Sequence, residues 1–138
     1  MFDLRDSQTL TEDLMDKVCD CLSFQVIGIK FVIQKSKFEI KMFEKFINKI
    51  ITECKHLQEL KLMFDFSSVG KEHCEHIANL FKKRTKLKII KLVFPSCKEI
   101  FDDEITLLME SILFCQDLNH LAIDISNTGT TLECHDSI

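Results

Sequence analysis

Large apolar residues along the chain fall into short alternating blocks separated by stretches of helical spacing, and the blocks return at a near-constant interval. Leu57, Leu60, Leu62 and Phe64 form one block, and Leu87, Ile90, Leu92 and Phe94 repeat it thirty residues later without a gap. A further step of 31 reaches Leu118, Leu121, Ile123 and Ile125, and a step of 31 backwards reaches Val26, Ile29, Phe31 and Ile33. Between the blocks the apolar period changes to that of a helix: Phe43, Phe46, Ile47, Ile50 and Cys54, then Cys74, Ile77, Ala78 and Phe81, then Ile105, Leu108, Met109, Ile112 and Cys115. Each unit therefore predicts a strand followed by a helix, four times over about residues 24–128.

Helix starts carry their own signals. Ser36 with Glu39, and Thr9 with Glu12, have capping-box spacing, and Asp102, Asp103 and Glu104 put negative charge where a helix N-terminus favours it. A further helix, within about residues 9–22 and with Leu14, Val18 and Cys21 on one face, is expected to cap the first unit. The polar segment 129–138 then makes a tail, and the whole reads as one domain spanning 1–138.

In a doubly wound sheet both strand faces are buried, yet Lys30, Lys61 and Lys91 stand in the middle of three successive strands. One sheet face is wet. Strand-helix units of constant length with helices on one side build an α/β solenoid arc, its parallel sheet concave and its helices convex.

LQELKLMF (57–64), LKIIKLVF (87–94) and LNHLAIDI (118–125) resemble the blocks of leucine-rich repeats, in the longer, helix-containing ribonuclease-inhibitor-like type. The asparagine or cysteine of that pattern is represented by Ser36, Ser67, Cys97 and Thr128, of which only Cys97 matches literally. The resemblance implies protein–protein interaction in general, without naming a partner.

Strand alternation sends three columns to the open face: Lys30, Lys61, Lys91 and Ala122; Val32, Met63, Val93 and Asp124; Gly28, Glu59, Ile89 and His120. The candidate partner-binding residues are accordingly Lys30, Val32, Glu59, Lys61, Met63, Ile89, Lys91, Val93, His120 and Asp124. An acidic protein segment laid across them would set its carboxylates on the lysines and its apolar groups on the second column. The plain alternative is that the lysines solubilise an exposed sheet.

Composition narrows the function classes. Eighteen basic and 22 acidic side chains leave a net charge of −4, so there is no global field for nucleic acid. The run KKRTKLK (82–88), extended to Lys91, offers the alternative of an RNA-associated subunit, although Lys82, Lys83 and Arg84 also suit a helix C-terminus. Seven cysteines, an odd number without paired spacing, fit reduced thiols in a cytoplasmic, intracellular setting. No uncharged apolar run of membrane-spanning length occurs, and the start does not read as a signal peptide.

Cys54 with His56, Cys74 with His73 and His76, and Cys134 with His135 raise a thiol or zinc reading. There is no CxxC, and Cys54 and Cys115 occupy equivalent positions two units apart, too far to share an ion. No phosphate-cradling loop or nucleophile motif appears, so the expectation is a non-enzymatic scaffold or accessory subunit of a larger complex, without cofactor or metal. The tail lacks the periodicity of a closing helix. The C-terminal end is therefore expected either to lean on another subunit or to be covered by the tail folding back.

Overall fold

A computed structural model describes residues 2–4, 12–34, 39–65 and 69–131. The elements run β1 (Phe2–Leu4), α1 (Glu12–Asp20), β2 (Gly28–Gln34), α2 (Ile40–Glu53), β3 (Glu59–Asp65), α3 (Lys71–Lys83), β4 (Ile89–Val93), α4 (Asp102–Ile112) and β5 (His120–Asp124). The strands form one sheet in the order β1-β2-β3-β4-β5, and every pair is parallel. The protein is thus α/β, each parallel neighbour being reached through a helix as such pairing requires.

The strand register follows the repeat residue for residue. Ile29, Leu60, Ile90 and Leu121 lie side by side, as do Lys30, Lys61, Lys91 and Ala122. The turn entering each strand repeats as well. The Ile27 carbonyl accepts from the Gln58 and Glu59 amides at 2.8 and 3.1 Å, the Gln58 carbonyl from Lys88 and Ile89 at 2.8 and 3.1 Å, and the Lys88 carbonyl from Asn119 and His120 at 2.9 and 3.1 Å.

Strand residues of one parity join the inner faces of α1 to α4 in a single core. Phe31, Phe43, Phe46, Phe64, Phe81 and Phe94 are wholly buried in it. Phe64 and Phe94, equivalent residues of adjacent units, stack with ring centres 5.7 Å apart, and Phe43 meets Phe64 edge-on at 5.8 Å. These six rings fill the space between sheet and helix layer.

Several expectations change. β1 adds a strand outside β2, which the start of the chain did not announce: three residues are too short to show a period. α1 packs through Met15, Val18, Cys19 and Leu22, with Leu14 half-buried and Cys21 exposed, so its inner face is turned from the expected one. α2 starts one residue after Glu39, which is its N-cap residue rather than the third helical position that pairing with Ser36 required. Thr9, Ser36 and Ser67 lie outside the described residues.

Helix starts are instead served by residues at the third position. The His73 Nδ1 accepts the Gly70 N–H at 3.2 Å, and the Glu104 carboxylate accepts the Phe101 N–H at 2.9 Å. Each is half of a capping box, and each removes an amide that the helix cannot satisfy internally. Asp102, Asp103 and Glu104 do fall in the first turn of α4.

Candidate functional site on the open sheet face

The side chains that alternate with the core residues of β2 to β5 line the opposite face of the sheet. Lys30, Glu59, Lys61, Met63, Ile89, Lys91 and Val93 are half-buried there, and His120 and Asp124 are exposed. Val32 departs from the expectation. It is only 3% exposed, lying in the ladder between Met63 and Asp3 of the added strand β1, so it does not offer an accessible apolar contact.

The lysine column is real as a register: Lys30 pairs with Lys61 and Lys61 with Lys91 across neighbouring strands. Adjacent strands are about 4.8 Å apart, so these ammonium groups raise one another's electrostatic energy and favour any anion set among them. Two carboxylates moderate the row. Lys61 Nζ lies 2.5 Å from Glu59 Oε1, two residues away on the same strand and face. Lys91 acts on Asp124, whose carboxyl is held below its ordinary value first by the Ser126 backbone amide, then by the Ser126 hydroxyl, and to a lesser extent by the Lys91 charge. Sequence reading placed all four residues but not these pairings, which depend on rotamers rather than on spacing.

The buried cysteines serve packing and capping. Ser23, Cys54, Arg84 and Cys115 are equivalent positions at the ends of successive helices. The Cys54 thiol bonds to the Ser23 backbone, the Arg84 guanidinium donates to the Ile51 carbonyl, and the Cys115 thiol reaches the Phe81 and Arg84 carbonyls at 3.6 and 3.8 Å. Arg84 and Cys115 thus satisfy backbone carbonyls at the end of the preceding helical segment, while the Cys54 sulfur accepts from a backbone amide there. Cys97, the one literal match to the repeat pattern, donates to the Phe64 carbonyl one unit earlier at 3.2 Å. Thr128, at the equivalent position, bonds within its own unit, to the Ile125 carbonyl at 2.8 Å.

Burial pushes the Cys115 thiol up to about 11 and raises those of Cys74, Cys54 and Cys19 as well, which suits neutral core groups rather than nucleophiles. Among the described residues no three His, Cys, Asp or Glu side chains come together as a metal site. The Nδ1 of His73 is occupied by the Gly70 amide. Cys134 and His135 lie outside the described residues.

The basic run is divided between the end of α3 and the open sheet face. Lys82 and Lys83 end α3, Arg84 is committed to the carbonyls of Ile51 and Lys83, and Lys91 belongs to the open sheet face. Lys55, Lys83, Arg84 and Lys86 line a small hollow where α2 and α3 end, and the helix carbonyls gathered there account for cations at that place.

No family model matches the chain, and no curated protein is significantly similar to it. No helix among the described residues is long and apolar enough to cross a membrane.

Proposed function

We propose that this protein is a leucine-rich-repeat-like solenoid arc acting by non-covalent recognition, a scaffold or accessory subunit that holds an acidic segment of a protein partner across its open sheet face. The observation that carries the reading is the in-register row Lys30, Lys61 and Lys91, flanked by half-buried Met63, Ile89 and Val93. A row of like charges in one register costs about tenths of a kcal/mol per neighbouring pair, and a bound carboxylate offsets that repulsion. The repeat reading is supported by the gap-free strand register and by the Cys97 contact to the preceding unit.

The test is the triple substitution of Lys30, Lys61 and Lys91 to Glu, followed by affinity purification with mass spectrometry. Partners retained by the native chain are lost by the variant, and binding of the native chain weakens with salt. An unchanged set of partners removes the open face as the site. Retention on RNA that weakens steeply with salt, and that disappears with Lys82, Lys83 and Lys86 rather than with the open-face lysines, replaces the reading with a nucleic-acid one.

A further inference from the structure

β5 ends the sheet among the described residues, and it is not finished as an edge. Leu121 is 37% exposed, whereas its equivalents Leu60 and Ile90 are completely buried. The strand His120–Asp124 contains no lysine, arginine or proline, the residues that usually protect an edge from pairing. The described part of the tail turns away from it: Gly129 donates to the Ile100 carbonyl at 2.8 Å, and Thr131 bonds the Asp102 carboxylate through its amide at 2.7 Å and its hydroxyl at 2.5 Å.

We infer that the edge of β5 joins the β5 of a second copy of this chain, antiparallel and about a two-fold axis at Ala122. Three independent features of the strand select that pairing. The first is the direction of its backbone groups. His120 donates to the Lys88 carbonyl at 3.1 Å, and the Asp124 carbonyl accepts from Phe94 at 2.7 Å. By alternation, the N–H and C=O groups of Leu121 and Ile123 point outward from the sheet. An antiparallel partner centred on Ala122 sets Leu121 opposite Ile123 of the second copy, so that these outward groups close hydrogen-bonded pairs on both sides of the axis.

The second feature is charge. In this register His120 stands opposite Asp124 of the second copy, twice by symmetry, with the imidazole facing a carboxylate on the same sheet face. Sliding the pairing by two residues in either direction keeps the backbone bonds but puts Ala122 opposite one of these groups and loses both contacts.

The third is the break in the lysine column. Ala122 is the fourth member of the row Lys30, Lys61, Lys91. At the axis it faces its own copy in a pair without hydrogen bonds, the closest kind, with Cα atoms about 4.5 Å apart. A lysine there would set two ammonium groups against each other, and alanine does not. The two open faces then continue into one another across the axis. The inference is independent of what the open face binds, because it uses only the terminal edge.

The experiment is sedimentation equilibrium of the full chain over a concentration series, with Ala122→Lys as the breaking variant. Lysine is already present at the three equivalent positions, so this variant keeps the fold, checked by circular dichroism. The native chain is a dimer in reversible exchange with monomer, and Ala122→Lys is a monomer. His120→Asp, which opposes Asp124 across the axis, weakens the dimer by about tenfold, and combining it with Asp124→His restores it. With Cys21 and Cys134 replaced by serine, Ala122→Cys forms a disulfide-linked dimer on mild oxidation, because the axis brings the two Cα atoms within disulfide range, whereas His120→Cys does not.

A native chain that stays monomeric into the high micromolar range overturns the inference. So does a dimer unaffected by Ala122→Lys, or cross-linking through His120→Cys instead of Ala122→Cys. A dimer that appears only after removal of residues 132–138 shows that the chain's own tail occupies the edge, and likewise overturns it.

Discussion

The Lys61 ammonium rests 2.5 Å from the Glu59 carboxylate on the same strand, so the middle lysine of the open face already has an anion of its own. A partner carboxylate must compete with Glu59 there. Both side chains are about a third exposed, and water weakens their attraction to the level of a surface pair, roughly 0.2–1 kcal/mol. Glu59→Gln is therefore expected to tighten binding of an acidic peptide by up to about fivefold, with little change in stability. Isothermal titration of such a peptide at low and moderate salt measures it; weaker binding by the variant would contradict the proposed role of the lysine row.

Phe64 is expected to be the most costly of the inner rings to truncate. It is wholly buried, stacks on Phe94 and meets Phe31 and Phe43 edge-on. Phe64→Ala removes contacts in three units at once and should cost about 3–5 kcal/mol, while Phe64→Leu costs less. Urea unfolding curves of the two variants give the order, and the alanine variant will require low temperature to remain folded.

Arg84 ties α3 to α2 by donating to the Ile51 carbonyl from the residue that follows α3. Arg84→Met keeps the apolar stem and removes the donors, leaving α2 with one carbonyl fewer satisfied at its C-terminus. The expected loss is about 1–2 kcal/mol in chemical denaturation, with strand content in the far ultraviolet unchanged.

The buried thiols make stability fall at alkaline pH. Cys115 is raised from its ordinary 9.0 to about 11 by burial, and Cys74 is raised further by burial together with Glu104. Above about pH 9 the unfolded chain releases thiol protons that the folded chain still holds, so ionisation favours unfolding. The contribution is complete below about pH 9 and is lost as pH rises through the folded values. The chain has no tyrosine to confuse the titration. Denaturant midpoints compared at about pH 8 and about pH 10, with Cys115→Ala as the variant that flattens the difference, check the sign.

The same burial governs reactivity. In the native protein a thiol reagent should modify exposed Cys21 quickly, while Cys54, Cys74, Cys97 and Cys115 react only on unfolding. Peptide mapping after brief alkylation identifies the modified residues; rapid labelling of Cys74 would show that the core opens locally.

Much of the architecture was written in the one-dimensional pattern. The unit length, the strand positions, the pairing of Lys30 with Lys61 and Lys91, and the burial of Cys54, Cys74 and Cys115 all follow from periods of two and of three to four, because those periods are fixed by backbone geometry within each element. What the pattern could not hold is whatever depends on a neighbour from elsewhere in the chain. β1 is a strand only because β2 offers it an edge, and with β1 in place beside it in the ladder Val32 is no longer an accessible contact. The choice of the Phe64 carbonyl as the acceptor for Cys97 was made by the packing of one unit on the next. Hydrophobic order along the chain determines which face of an element is buried; only the assembled sheet decides what each remaining polar group meets, because hydrogen bonds and ion pairs are short-ranged and directional while apolar burial is neither.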